Sequence, residues 1–282
     1  MPEYSFNGNQ FELGFPAVMG ILNATPDSFS DGGLHLNPKE AVARAQEMAE
    51  EGAAIIDLGG ESTRPGSEPV SIEEELKRVL PILEALPKGE FMISIDSRNL
   101  ETQRAALEGG AHLVNDVSGG KEEVYDLAEE FQAGLILMHA QGDPKNMQNN
   151  PSYEEVVTEV KAFFDAKKGS LRQRDLPKVW IDPGIGFGKT TEHNLELMRN
   201  LNHLADPDWG ILLGSSRKSW IGQLCGAPVD QRLGGSLASA IHAVSCGAEI
   251  IRAHDVRETV QAIAVGQALT GESKPEESSR NG

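Results

Sequence analysis

The sequence predicts a single (β/α)8 (TIM) barrel of the α/β class. Eight short apolar runs alternate with eight longer amphipathic stretches, the pattern of parallel strands that are each followed by a helix. A length of 282 residues also suits one such barrel. A doubly wound open sheet usually has fewer strands at this length and a G-x-G-x-x-G turn after its first strand. No such turn follows the first apolar run.

The predicted elements follow in chain order. Residues 4–13 contain Asn7-Gly8 between alternating apolar positions, which predicts a β-hairpin that caps the N-terminal end of the barrel. The eight predicted strands are residues 17–22, 53–58, 91–95, 111–114, 135–138, 179–181, 211–213 and 248–251. The eight predicted helices are residues 38–51, 71–86, 100–108, 121–131, 152–174, 191–204, 233–246 and 256–269.

Composition limits the possible functions. A formal net charge of −18 argues against a nucleic-acid partner, because phosphate binding depends on Lys and Arg. Two cysteines are too few for a disulfide framework. The N-terminus has no basic or apolar signal region, and no run of 18 apolar residues occurs. The expectation is a cytoplasmic protein without a membrane span, with residues 1–270 as one domain and residues 271–282 as a disordered polar tail.

Polar residues follow all eight predicted strands. The C-terminal strand ends carry the chemistry in barrels of this kind, whereas the opposite face carries stability. A single terminal Asp is often only a helix cap, but eight polar ends together indicate an active-site mouth. These residues are Asn23, Asp57, Asp96, Asn115 with Asp116, His139, Asp182, Ser215 with Ser216, and Arg252 with His254.

Three glycine-containing loops add binding groups to these ends. The loop 59–66 offers a hydroxyl at Thr63 and a bidentate cation at Arg64, although it could be an ordinary turn before the next helix. The loop 214–219 lies where barrels often bind phosphate, so Lys218 is favoured as a site residue over a surface lysine. Residues 25–33 are expected to form a mobile lid hinged at Asn23.

The metal signals favour magnesium over zinc. Neither H-E-x-x-H nor C-x-x-C occurs in the chain. An Asn and carboxylates beside a phosphate suit Mg²⁺, which keeps several waters and shares phosphate oxygens.

Five segments carry a resemblance to a known family. They are residues 20–33, Gly59-Gly-Glu-Ser-Thr-Arg-Pro-Gly66, Asp182-Pro-Gly-Ile-Gly-Phe-Gly-Lys189, Ser216-Arg-Lys218 and Arg252-Ala-His-Asp255. In this order, spread over residues 4–270, they resemble the bacterial dihydropteroate synthases. Ala24 stands where the family usually has a larger aliphatic residue, and Asp96-Ser-Arg replaces the commoner Asp-Thr start, so Arg98 is expected to alter loop contacts near the pocket.

The resemblance implies a transferase of folate biosynthesis and a target of sulfonamides. It would join p-aminobenzoate to 6-hydroxymethyl-7,8-dihydropterin diphosphate by a dissociative mechanism, with Mg²⁺, as a homodimer formed through helices such as residues 233–246. Three alternatives remain: a pterin-binding methyltetrahydrofolate:corrinoid methyltransferase, a Schiff-base aldolase, and a non-catalytic pterin-binding protein.

The resemblance also implies roles for individual residues. The catalytic groups would be Asp96, Asp182, Lys218 and Arg252. The pterin would contact Asp96, Asn115, Val117, Met138, Asp182, Gly186, Gly214 and Lys218. Diphosphate would contact Asn23, Thr63, Arg64, Arg252 and His254, with Asn23 also ligating Mg²⁺. p-Aminobenzoate would contact Thr63, Pro65, Phe187, Ser216 and Lys218.

Overall fold

The structure is a computed structural model, and it describes residues 2–24, 38–61, 69–142 and 147–271. A two-stranded antiparallel sheet precedes a closed barrel of eight parallel strands, in which the last strand pairs with the first. The hairpin strands are β1 (Glu3–Phe6) and β2 (Asn9–Glu12). The barrel strands are β3 (Ala17–Asn23), β4 (Ile55–Gly59), β5 (Met92–Ser97), β6 (Leu113–Asp116), β7 (Gly134–Met138), β8 (Val179–Asp182), β9 (Gly210–Leu213) and β10 (Ile250–Ala253). The predicted fold class is confirmed.

Helices follow the barrel strands in chain order. They are α1 (Pro38–Glu50), α2 (Ile72–Ala85), α3 (Leu100–Glu108), α4 (Glu122–Glu130), α5 (Val156–Asp165), α6 (Lys168–Leu171), α7 (Thr191–Arg199), α8 (Ser219–Cys225), α9 (Leu233–Ser245) and α10 (Val256–Thr270). Side chains cap two of the starts: Ser71 accepts a hydrogen bond from the Glu74 N–H, and Thr190 forms a capping box with His193.

Two predicted helices are shorter than expected. The stretch 152–174 contains two helices, α5 and α6, because the backbone turns between them. The α5 helix begins only at Val156, where the Glu159 carboxylate accepts hydrogen bonds from the N–H groups of Glu154 and Glu155 at 2.7 and 3.1 Å. The stretch 191–204 is α7 followed by a single 3₁₀ turn. The short helix α8 was not predicted.

The hairpin closes the N-terminal end of the barrel, as predicted. Its turn uses positive φ angles of 45° at Asn7 and 75° at Gly8, which these two residue types tolerate. The Asn7 amide donates to the carbonyl oxygens of Leu107 and Ala111, both at 2.8 Å. Phe6 and Leu13 pack against the apolar side chains that fill this end of the barrel interior.

The apolar core has two parts. The larger part lies between the barrel wall and the surrounding helices. The smaller part fills the N-terminal half of the barrel interior, as expected for a barrel whose lumen is a packed core. Its strand residues are Ala17, Met19, Ile55, Met92, Leu113, Ile136, Trp180, Leu212 and Ile250. The predicted tail beyond Gly271, which ends α10 with a left-handed φ of 78°, lies outside the described residues.

Candidate active site

The barrel interior changes from apolar to polar within two residues along several strands. Side chains two apart on a strand point to the same side. Four polar residues therefore follow interior apolar residues into the lumen: Asp57 after Ile55, Asn115 after Leu113, Asp182 after Trp180, and Arg252 after Ile250. On β5, Ser94 and Asp96 follow Met92 in the same way. The C-terminal half of the lumen is thus polar and charged.

Arg252 joins three of these strands. Its Nε donates to Asp57 Oδ2 and its Nη2 donates to Asp96 Oδ2, each at 2.6 Å. Asn115 Nδ2 also donates to Asp57 Oδ2, at 3.1 Å. Burial alone would lower the pKa of Arg252, but the two carboxylates raise it overall. The guanidinium is therefore a permanent cation between two carboxyl groups, and it lies with the predicted residues Asp96 and Asn115.

Two carboxylate oxygens of this group have no protein donor among the described residues. They are Asp57 Oδ1 and Asp96 Oδ1, and both are buried. Burial raises the pKa of Asp96 to about 7, against the opposing effect of Arg252. Buried acceptors without a donor are costly, so they mark a place where ligand N–H groups can bind.

Asp182 and Lys218 add two further charged groups to this end of the lumen: Asp182 ends β8, and Lys218 follows β9, which pairs with β10. Asp182 Oδ1 accepts a hydrogen bond from the Gly184 N–H at 2.8 Å, and burial raises the pKa of this carboxyl group. Lys218 Nζ donates to the Ile185 carbonyl oxygen and lies 4.5 Å from the centre of the Phe187 ring. Burial lowers the pKa of Lys218 to about 8, although Asp182 opposes that decrease.

The predicted glycines fit closely beside these groups. A Cβ atom at Gly186 would lie 3.1 Å from Lys218 Cδ, and one at Gly214 would lie 3.7 Å from Asp182 Oδ2. The absence of a side chain therefore lets Lys218 pack closely on Gly186, and Gly214 lies in ordinary contact distance of Asp182. Met138 is buried at the end of β7, and Val117 is half-buried just after β6.

Ser216 and His254 form a separate pair at the mouth. Ser216 Oγ accepts a hydrogen bond from the His254 backbone N–H at 3.2 Å and lies 3.1 Å from His254 Nδ1. The helix that follows begins only at Ser219, three residues later. Ser216 is therefore beside a residue predicted to bind diphosphate.

Of the remaining predicted positions, Asn23 and Arg98 lie within the described residues. Asn23 is the last residue of β3, is half-buried and pairs with Gly59 on β4. Arg98 makes a two-pronged ion pair with the buried Glu61 carboxylate, at 2.8 and 3.1 Å, so it does contact the loop that follows β4. Thr63, Arg64 and Pro65, and the predicted lid at residues 25–33, lie outside the described residues.

One residue of this polar group received no role in the assignment from sequence. Asp57 was noted as a strand end but was given no role, although it accepts hydrogen bonds from both Arg252 and Asn115. The signal that could have found it is its lumen-facing position, which it shares with Arg252.

Comparisons with known proteins agree with this geometry. The fold and the site define a pterin-binding barrel, and the sequence model of the family described as pterin binding enzyme matches residues 19–254. The dihydropteroate synthase of Escherichia coli (strain K12) is 46% identical over 265 residues, which cover 93% of this chain and 94% of that protein. That of Neisseria meningitidis serogroup B is 43% identical over 281 residues, covering 95% and 99% of the two chains.

Solved structures give the same result. A Yersinia pestis dihydropteroate synthase with a sulfonamide drug complex is 42% identical, with a TM-score of 0.87 and coverage of 96% of this chain and 100% of that chain. A Xanthomonas albilineans dihydropteroate synthase with 4-aminobenzoic acid is 40% identical, with a TM-score of 0.87 and coverage of 95% and 98%. The chain belongs to the dihydropteroate synthases, which are transferases of folate biosynthesis.

Proposed function

We propose that this chain joins p-aminobenzoate to 6-hydroxymethyl-7,8-dihydropterin diphosphate by a dissociative route. The C–O bond to diphosphate breaks first, and its electron pair leaves with the diphosphate. The amine lone pair of p-aminobenzoate then forms the C–N bond, and the nitrogen releases one proton to solvent. The products are 7,8-dihydropteroate and diphosphate. The main support is the buried group of Arg252, Asp57 and Asp96 in the mouth of a barrel of this family.

The strand residues suit the pterin ring. A carboxylate at Asp182 can accept from two neighbouring N–H groups of the guanidine-like edge, and Asn115 offers both a donor and an acceptor. Lys218 would donate to an acceptor on the ring, while Gly186 and Gly214 leave room for its face. A Xanthomonas albilineans relative in complex with 7,8-dihydropteroate is 37% identical, which supports this substrate class.

Charge development explains the remaining groups. As the C–O bond breaks, positive charge grows on the pterin methylene and negative charge on the diphosphate. The Asp96 oxygen that has no donor among the described residues would stabilise the positive charge, and Arg252 with His254 would stabilise the negative charge. Thr63 and Arg64 are proposed to contribute to the diphosphate side from a loop outside the described residues.

The donor set fits a magnesium ion that arrives with the substrate. No group of three or more His, Cys, Asp or Glu residues that could hold a metal occurs in the part of the chain that the structure describes. Mg²⁺ is commonly held by one or two protein oxygens together with substrate phosphates, and the side-chain oxygen of Asn23 suits that role. When bound, the ion would offset negative charge on the diphosphate.

Phe187, Lys218 and Ser216, with Thr63 and Pro65, are proposed to bind p-aminobenzoate. The Phe187 ring and the stem of Lys218 supply apolar surface for the benzene ring, and the Ser216 hydroxyl would donate to its carboxylate. The sulfonamide complex of the Yersinia pestis relative supports a sulfonamide-binding site here as well.

A homodimer through α9 is proposed from the apolar surface around that helix. A cleft of about 350 Å³ lies between α7, α8 and α9 and is lined by Leu195, Met198 and Trp220 among others. Leu224, Leu233 and Ile241 are exposed beside it. Apolar surface of this kind often marks an interface.

No helix in the described residues is long and apolar enough to cross a membrane. Cytoplasmic location is proposed from the two unpaired cysteines.

A diphosphate-release assay tests the proposed function. The purified protein is mixed with the pterin diphosphate, with and without p-aminobenzoate and with and without Mg²⁺. Release that depends on p-aminobenzoate and yields dihydropteroate is expected. Tight pterin binding without release would instead support a non-catalytic binding protein. Methyl transfer from methyltetrahydrofolate to a corrinoid would support the methyltransferase.

A further inference from the structure

Lys189 is a buried lysine with no role in the proposed chemistry. It ends the loop that follows β8, and only 3% of its surface is exposed. Lysine is rarely buried without partners, because moving an ammonium group out of water costs several kcal/mol. Four groups surround its Nζ: the carbonyl oxygens of Gly184 and Phe187 at 3.0 Å, His139 Nδ1 at 3.0 Å, and the His139 carbonyl oxygen at 3.4 Å.

His139 is suited to accept a hydrogen bond from this ammonium group. Burial, together with the charge of Lys189, lowers the pKa of His139 to about 3, so the ring is neutral. Because an ammonium group can only donate, the contact at 3.0 Å assigns Nδ1 as the acceptor. Burial also lowers the pKa of Lys189 to about 7, although Asp182 opposes that decrease. The four acceptors around Nζ thus favour the charged form of a lysine that burial alone would neutralise.

The contacts of Lys189 hold the loop from the inside. Gly184 O accepts from both Lys189 Nζ and the Phe187 N–H, each at 3.0 Å. The loop also lies against the backbone of residues 139–141: a Cβ at Gly184 would be 1.8 Å from the His139 carbonyl oxygen, and one at Gly188 would be 2.2 Å from that of Gln141. From outside, the Tyr153 hydroxyl donates to Gly188 O at 3.0 Å. The ammonium group therefore determines the path of residues 184–188.

This path sets two groups of the p-aminobenzoate subsite. The Phe187 ring extends from the clamped turn, and Lys218 is tied to the same turn through Ile185 O and through its position 4.5 Å from that ring. The pterin side depends less on this loop. It shares Gly186 and Lys218 with the loop, but Asp96, Asn115 and Asp182 lie on strands. A loosened loop would thus affect the p-aminobenzoate subsite more than the pterin subsite.

We propose that Lys189 is a positioning residue for p-aminobenzoate, acting through Phe187 and Lys218. The inference rests on the proposed function, since it assumes that these two residues form that subsite. Lys189 does not touch the reacting atoms. Its ammonium group holds the turn that carries Phe187 and that accepts a hydrogen bond from Lys218.

Substitution K189M tests the proposal, because methionine keeps the length of the side chain and removes its donors. Steady-state diphosphate release is measured while each substrate is varied. We expect the KM for p-aminobenzoate to rise about tenfold or more and the KM for the pterin diphosphate to change by less than about threefold. The control is K88M: Lys88 Nζ also donates to two carbonyl oxygens, those of Leu83 and Gly109, both at 2.9 Å, but at the C-terminal ends of α2 and α3. It should leave both KM values within about twofold of the unsubstituted protein.

Further variants keep the proposal open to contradiction. If K189M does not fold, Y153F removes a single donor to the same loop, and a rise of about two- to threefold in the KM for p-aminobenzoate alone is expected. In a double-mutant cycle, K189M and F187L should be non-additive in that KM. Equal changes in both KM values, or a change in kcat alone, would overturn the proposal. If the unsubstituted protein releases no diphosphate in response to p-aminobenzoate, the proposed function itself fails.

Discussion

At the N-terminal end of the strands the barrel interior is filled by apolar side chains, whereas two residues further along the same strands it is lined by charges. Trp180 and Asp182 illustrate the difference on β8, and Ile250 and Arg252 illustrate it on β10. Two strand residues span about 7 Å. Stability and chemistry therefore occupy two successive layers of one lumen. The lower layer is the apolar half at the N-terminal ends of the strands, and the upper layer is the polar half at their C-terminal ends.

The two layers also tolerate polarity differently. The lower layer is a cluster of buried apolar side chains, and its Trp180 ring packs near Phe6 and Phe15. The upper layer places two carboxyl groups around one guanidinium and leaves two buried oxygens without a donor in the part of the chain that the structure describes. Such an arrangement costs stability and is typical of a functional site. Substitutions in the lower layer should therefore affect folding, and those in the upper layer should affect turnover.

The largest effect is expected from W180A. The Trp180 side chain is fully buried, and its Nε1 donates to Glu249 at 2.9 Å, so truncation should lower the free energy of unfolding by about 3–5 kcal/mol. Urea denaturation followed by circular dichroism measures this loss, with W180F as the milder control. A fall of more than about threefold in kcat per folded molecule would show that the two layers are coupled, and the comparison would then fail.

The next largest effect is expected from K218A. Loss of a buried donor should lower kcat/KM by about 100- to 1000-fold, the usual range for removing one such group from an active site. The thermal unfolding midpoint should change by less than about 3 °C. K178M, at the opposite end of the barrel, is the matched control, since Lys178 pairs with Glu249. Full activity in a folded K218A protein would remove Lys218 from the chemistry.

The pH dependence should reflect the charges of the upper layer. Asp96 must be ionised to stabilise the cation, so kcat/KM should rise with pH up to its pKa of about 7. Lys218 must be protonated to donate, so kcat/KM should fall as pH rises past its pKa of about 8. Beyond each limit the change should be about tenfold per pH unit. K218R, which keeps the charge, should lose the part of the alkaline decrease that Lys218 causes. A decrease that remains in K218R and is absent from K189M would belong to Lys189, whose pKa burial lowers to about 7.

The smallest effect is expected from N7A in the hairpin. This substitution removes two hydrogen bonds to the carbonyl oxygens of Leu107 and Ala111 and places alanine at a positive φ, which together should lower the free energy of unfolding by about 2 kcal/mol. Kinetic constants should not change, because the hairpin covers the end of the barrel away from the site. N9A, at an exposed position of the same hairpin, is the control. A kinetic effect of N7A would mean that the lower layer transmits strain to the upper one.

Much of the fold could be predicted because its signals are local. Alternating apolar and amphipathic stretches located all eight barrel strands to within a few residues, and Asn7-Gly8 located the hairpin turn. The helix α8 escaped prediction because seven residues span fewer than two turns, too few for a clear period. It is stabilised by burial of Trp220 and Ile221, which is a tertiary contact.

The site was predictable only in part. Asp96, Asn115, Asp182 and Arg252 were expected at one mouth because the C-terminal ends of parallel strands meet there. Their partners were not predictable. The contact between Arg252 and Asp57 spans 195 positions, and that between Lys189 and His139 spans 50. No periodicity or motif encodes such a pair.

The sequence by itself determined the barrel, the hairpin, the family resemblance and the polar character of the strand ends, because periodicity and turn chemistry act between near neighbours. Only the tertiary structure decided that Asp57 and Asp96 share Arg252, that Ser216 binds His254, and that Lys189 holds the loop of Phe187. The physical reason is closure of the barrel. Pairing of β10 with β3 brings distant strands around one lumen, and burial there makes each charge depend on its neighbours.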